Sequence, residues 1–135
     1  MPDGTFSHSG WVGDLDGRPR YLHGDEGADQ RLTLYDATNL EAPELLADFA
    51  TRTGASVHNI EVIGSIAYVS YYADGLRVYD LGDPESPREI AHFDTVAPED
   101  ERDILQGAWG IHVEDGVVYL SDRETGIYAF RVGLE

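Results

Sequence analysis

Three places spaced about fifty residues apart carry the side chains best suited to chemistry: His8, the pair His58-Asn59, and Ala108-Trp109. Superposing the chain on itself puts each at the start of the innermost strand of a repeated unit. Imidazole and amide groups gathered there, at one mouth of a channel, can hold a cation or a small polar ligand. Asp25 and Glu26 follow the second strand of the first unit and can add carboxylates from a loop, while Trp11 and Trp109 add aromatic faces. His8, Trp11, Asp25, Glu26, His58, Asn59 and Trp109 therefore form the candidate ligand-binding set. The same residues also have a structural reading. His8, His58 and Asn59 can bond strand ends and close the channel, with the two tryptophans packed between sheets. A divalent ion held by His8, His58 and Glu26 would instead make the mouth a hydrolase or lyase site.

Other patterns carry less. The chain has no Walker loop, HExxH, GxSxG or dinucleotide fingerprint, so no catalytic signature is present. Asp14-Leu15-Asp16-Gly17 resembles the start of a calcium loop, but the remaining ligand spacings fail and a hairpin turn accounts for it. Ser7-His8-Ser9 sets hydroxyls beside an imidazole, yet neighbours on an extended strand point to opposite faces and cannot form a nucleophile and base. Asp36 and Asp80 end strands, where a carboxylate accepts bonds from the following turn. Arg77 can pair with a channel carboxylate or lie on a solvated edge. The acidic connection 94–106 reads as a solvated loop, with a weak resemblance to a divalent-cation site.

Positioning these groups requires a β framework. Residues 32–49 (LTLYDATNLEAPELLADF) and 76–93 (LRVYDLGDPESPREIAHF) align without a gap, and the spacing is that of propeller blades. No window has helical periodicity. In the best unit the expected strands are 58–62, 66–71, 76–80 and 89–93, four antiparallel strands making one blade. Hairpin turns fall at Asp16-Gly17, Gly64-Ser65 and Asp115-Gly116, where positive φ is tolerated. A tyrosine follows each turn at nearly the same distance: Tyr21, Tyr68 and Tyr119. The third strands carry apolar groups in succession instead of alternating with polar ones, as expected where a neighbouring sheet covers each face. The fold class is thus all-β, a partial β-propeller with two four-stranded blades plus a third incomplete blade, in one segment spanning 1–135 (blades about 7–49, 56–93 and 107–132). The third unit stops at Val132 without an outer strand, so ring closure calls for further blades of a longer chain, the favoured reading, or for a homo-oligomer.

Composition narrows the partners. The net charge is −17, with 26 acidic residues against nine arginines and no lysine. Such a surface repels phosphate backbones and anionic lipid, which argues against nucleic acid. No apolar run is long enough to insert in a membrane as a helix, and the first residues lack the pattern of a signal peptide or anchor. A lysine-free acidic surface fits a salt-rich setting, where counterions screen self-repulsion, or a merely acidic protein of arginine-favouring codon usage. Without cysteine there are no disulfides or thiolate metal sites.

The residues His8-Ser9-Gly10-Trp11, Asp25-Glu26, Leu34-Tyr35-Asp36, His58-Asn59, Tyr68-Val69-Ser70, Gly75-Leu76-Arg77-Val78-Tyr79-Asp80, Phe93-Asp94, Gly107-Ala108-Trp109 and Gly126-Ile127 occur in the order found in LVIVD-repeat β-propellers. The chain resembles most closely the choice-of-anchor B group. Tyr71 departs from that pattern, standing where an asparagine is common. The resemblance implies a cell-surface or extracellular location and names neither an activity nor a cofactor. The expectation is a non-enzymatic binding or scaffold module whose mouth takes a small polar ligand, a cation or a protein. The metal-dependent hydrolase or lyase is the alternative.

Overall fold

The structure is a computed structural model and describes residues 6–27, 31–51, 56–101 and 103–133. Positions 1–4, where a leader would begin, and Arg102 of the acidic connection lie outside the described residues. Among the described residues, eleven strands form three antiparallel sheets. The first contains β1 (Ser7–Leu15), β2 (Arg18–Asp25), β3 (Leu32–Asp36) and β4 (Glu44–Phe49). The second contains β5 (Ile60–Ile63), β6 (Ile66–Ser70), β7 (Leu76–Asp80) and β8 (Arg88–Phe93). The third contains β9 (Ala108–Glu114), β10 (Val117–Asp122) and β11 (Gly126–Arg131). Within each sheet the strands follow chain order. This is an all-β architecture of two complete propeller-like blades and a third, incomplete one.

Turn chemistry explains the hairpins. Asp16 and Gly17 have φ of 56° and 73°, and Asp115 and Gly116 have 51° and 71°. Two successive positive φ angles define the type I′ turn whose twist matches its flanking strands. Gly17 N–H also donates to Asp14 Oδ1 at 2.8 Å, so the carboxylate of the calcium-like motif is used in closing the hairpin. Asp36 accepts from Thr38 N–H, and Asp80 from Gly82 N–H, each at 2.8 Å. The bonds from Thr38, with the Arg20 guanidinium beside them, hold the Asp36 carboxyl down at about 2.

Both four-stranded sheets share one pairing pattern. Leu34 pairs with Ala47 and Tyr35 with Leu45, leaving Leu46 as a bulge. Val78 pairs with Ala91 and Tyr79 with Glu89, leaving Ile90 as a bulge. Tyr68 and Tyr119 hold matching places, opposite Val78 and Ala129. Tyr21 does not. It pairs with Tyr35, while Leu22 takes the place opposite Leu34. A shift of one residue in a structure of period two sends Tyr21 to the opposite face.

The sheets stack in series around two cores. In the first, Leu22, Leu32 and Leu34 meet Val62, Ala67, Val69 and Tyr79. In the second, Tyr68, Leu76 and Val78 meet Val113, Val118 and Leu120. The second sheet is therefore covered on both faces, which is why Ala67, Tyr68 and Val69 are buried in succession. One aromatic contact recurs at both interfaces: Phe49 meets Tyr79 edge-on at 5.0 Å, and Phe93 meets Phe130 at 4.7 Å. The innermost strands approach one another, β1 against β5 and β5 against β9. The acidic connection is not wholly solvated, because Val96 is buried beside Gly107.

Leu34 is enclosed in the first core and Leu40 stands in an exposed turn. Leu34→Ala should lower unfolding free energy by about 2–5 kcal/mol. Leu40→Ala should stay within about 0.5 kcal/mol of the parent. Urea titration followed by circular dichroism measures both, with an unchanged m-value confirming that stability alone moved.

Candidate functional site

Two positions per sheet converge at one end of the stack. His8 lies on β1, His58 just before β5, and Trp109 on β9. The second position lies in the connection between second and third strands. Gly24, Ser70 and Ser121 pair with Leu32, Leu76 and Ile127, the first residues or their equivalents on the third strands. Two residues after each come Glu26, Tyr72 and Arg123. Equivalent backbone places thus supply a carboxylate, a phenol and a guanidinium.

Within each sheet the two positions meet. His8 Nδ1 lies 3.0 Å from Glu26 Oε2, the His58 and Tyr72 rings meet edge-on at 5.1 Å, and the Arg123 guanidinium covers the Trp109 indole at 4.9 Å. Contacts also run between sheets. His58 sits between His8 and Trp109, with ring centroids 4.6 Å away on each side. Tyr72 Oη donates to Glu26 Oε1 of the first sheet. Phe6 extends the ladder, stacked 6.4 Å from His8.

The hydrogen positions follow from chemistry. His58 Nδ1 is 2.8 Å from the Trp109 carbonyl oxygen, which can only accept, so Nδ1 carries the hydrogen. Burial pushes the His58 pKa down, against the raising effect of that carbonyl, and His8 pushes it further down. The neutral ring therefore keeps a lone pair on Nε2. Tyr72 is pushed up by burial and by Glu26, so it remains a phenol and a donor. The Trp109 carbonyl also accepts from Ser70 Oγ, which in turn takes the Asn59 N–H at 2.9 Å. Asn59 enters through its backbone.

Tyr72 occupies an unusual backbone state, φ 44°. Such a conformation costs an aromatic residue about 1–3 kcal/mol and persists where surroundings hold it. Here the Tyr72 carbonyl accepts from Gly75 and Ala108 N–H groups, both at 2.9 Å, tying the second sheet to the third. Gly107 admits that contact, since a Cβ there would lie 2.6 Å from the Tyr72 oxygen.

Of the seven expected residues, His8, Glu26, His58 and Trp109 come together, with Asn59 adjoining. Trp11 and Asp25 lie elsewhere. Trp11 packs at the first core, its indole lying across the space where a Gly13 Cβ would project. Asp25 faces His23, 3.4 Å from its Nε2. Ser7 reaches the same nitrogen at 2.7 Å, and Thr33 Oγ1 is 3.2 Å from Nδ1. Ser7 and Asp25 thus crowd one nitrogen instead of forming a relay across the ring. Arg77 lies away from this cluster, bonded to Asp94 at 2.7 Å. Tyr72 and Arg123 were missed by sequence reasoning, although superposing the connections sets them in register with Glu26. No group of three or more His, Asp or Glu side chains is placed to share a metal ion among the described residues. No protein-family model and no curated protein matches the chain.

Because the folded pKa of His58 is depressed, its contribution to stability is present above about pH 6.5 and is lost as pH falls through the lower folded value. Melting temperature should therefore fall on acidification below that point, and less steeply in His58→Phe, which keeps a ring but cannot titrate. Circular dichroism melts from pH 7.5 to 5 check this, equal slopes ruling His58 out as the source.

Proposed function

We propose that the chain is a non-enzymatic binding module whose mouth, formed by His8, Glu26, His58, Tyr72, Trp109 and Arg123, takes a small polar ligand. One observation carries the reading: all three sheets deliver two polar or aromatic side chains to the same place from equivalent backbone positions. The set combines a buried imidazole with a lone pair on Nε2, a carboxylate shared by His8 and Tyr72, and an exposed guanidinium beside an exposed indole, so a ligand with both hydrogen-bond donors and acceptors suits it. The acidic surface disfavours nucleic acid and anionic membrane as occupants. The likeness to LVIVD-repeat and choice-of-anchor B propellers supports placing the module in a cell-surface or secreted protein.

Probe binding tests this. Glucose, glycine and imidazole should be titrated while tryptophan fluorescence and melting temperature are followed, with Ca²⁺ and Zn²⁺ in parallel. At least one organic probe should give a saturable signal with a rise in melting temperature, a stabilisation of about 2.7 kcal/mol at a hundredfold excess over Kd. Arg123→Gln should abolish the response, while losing the contact with Trp109 should lower unliganded stability by only about 0.5–1 kcal/mol. No response to any organic probe would overturn the reading. A response to metal alone, reversed by chelator, would favour the hydrolase or lyase alternative.

A further inference from the structure

Each interface within the molecule joins one kind of sheet face to another. The face bearing Leu22 and Leu34 in the first sheet, and Tyr68 and Val78 in the second, packs against the following sheet. The opposite face, bearing Ala67 and Val69 in the second sheet and Val118 and Leu120 in the third, packs against the preceding one. The stack therefore ends in two unlike faces, one of each kind, and neither is covered among the described residues.

Both ends carry exposed apolar side chains among polar ones. Val12, Tyr21, Tyr35 and Leu45 pair in one row across the first sheet, on the face turned from the second. Val12 is 72%, Tyr21 38% and Leu45 52% exposed. On the outer face of the third sheet Tyr119 is 43% and Ile127 81% exposed. Glu114 and Arg131 both lie in register with Val117 at one end of that sheet, and Asp14 with Pro19 at the corresponding hairpin end of the first.

We propose that a second copy of this chain covers both faces, the third sheet of each copy docking on the first sheet of the other. Two copies of three sheets make six, within the roughly four to eight blades at which such rings close. A single pair thereby buries the two end faces of the described sheets in each copy. The same docking brings Trp109 and Arg123 of one copy to the Phe6, His8 and Glu26 end of the other copy's ladder. It is the contact made twice within the chain, repeated between chains.

Sedimentation equilibrium tests the pairing, in about 1 M salt where screening reduces repulsion between two acidic bodies to a range of about 3 Å. The expected mass is twice 14.9 kDa. Val12→Glu and Ile127→Glu, at opposite ends, should each yield monomers with unchanged circular dichroism. Mixed in equal amounts they should regain a dimer, because one sound first-sheet face then meets one sound third-sheet face. If either variant fails to fold, Leu45→Arg and Tyr119→Arg replace them on the same two faces. A parent chain that stays monomeric or grows into an open series of oligomers overturns the proposal. So does a dimer that survives either substitution, or variants that fail to complement on mixing.

Discussion

A β-sheet apolar on both faces is stable in water only between two neighbours, and the arrangement of this chain follows from that. The second sheet meets the requirement most fully, with Ala67 and Val69 in one core and Tyr68 and Val78 in the other. Burial of a single such side chain contributes about 1.5–3 kcal/mol. An exposed ion pair contributes about 0–1 kcal/mol, so Arg31 with Asp48 and Arg88 with Asp80 tune the surface without determining the stacking. The repeated bulge and the repeated aromatic contact are consequences of stacking like on like: once Phe49 must reach Tyr79, the same frame brings Phe93 to Phe130.

The cluster of His8, Glu26, His58, Tyr72, Trp109 and Arg123 is a second consequence of the same frame. Equivalent backbone places in stacked sheets fall side by side whatever side chain they carry, so the frame supplies positions and the residue types supply chemistry. Histidine with glutamate, histidine with tyrosine, and tryptophan with arginine occupy three copies of one geometry. The strain at Tyr72 belongs to this account. Its phenol reaches Glu26 on the preceding sheet while its carbonyl binds Ala108 on the following one, so one residue at positive φ joins all three sheets. A conformational cost of about 1–3 kcal/mol is tolerable where several hydrogen bonds of about 1 kcal/mol each depend on it.

Sheet boundaries and turns were legible because they rest on local chemistry: Asp16-Gly17 and Asp115-Gly116 take the φ angles their residue types suggest. The matching places of Tyr68 and Tyr119 were legible from their distance to the turn. Tyr21 misled for the same reason, since its distance differs by one residue, and one residue inverts the face. Trp11 misled because an aromatic near a candidate histidine fits a ligand site and a core equally well, and only the neighbouring Gly13 creates the space it fills. Tyr72 and Arg123 sit in connections without hydrophobic periodicity, where pattern reading has least to work with. Their alignment with Glu26 emerges from strand pairing, a long-range property absent from any short window.

Charge and burial act on this molecule at different ranges, which gives salt a definite role. Arg18, Arg20, Arg31, Arg77 and Arg88 each lie within ion-pair distance of a carboxylate of their own sheet or the loop beside it. These five cations are therefore committed locally, and acidic residues outnumber the arginines by 26 to nine. Self-repulsion of that excess acts over the Debye length, about 10 Å at 0.1 M salt and about 3 Å at 1 M. The two cores, and the Glu26, Tyr72 and His58 contacts, act at van der Waals and hydrogen-bond distance and are largely indifferent to ionic strength. Raising salt thus removes an opposing term while leaving the cohesive ones in place. For a body with exposed apolar side chains on its end faces and a net charge of −17, salt weakens the repulsion between neighbours and leaves the gain from burial in place.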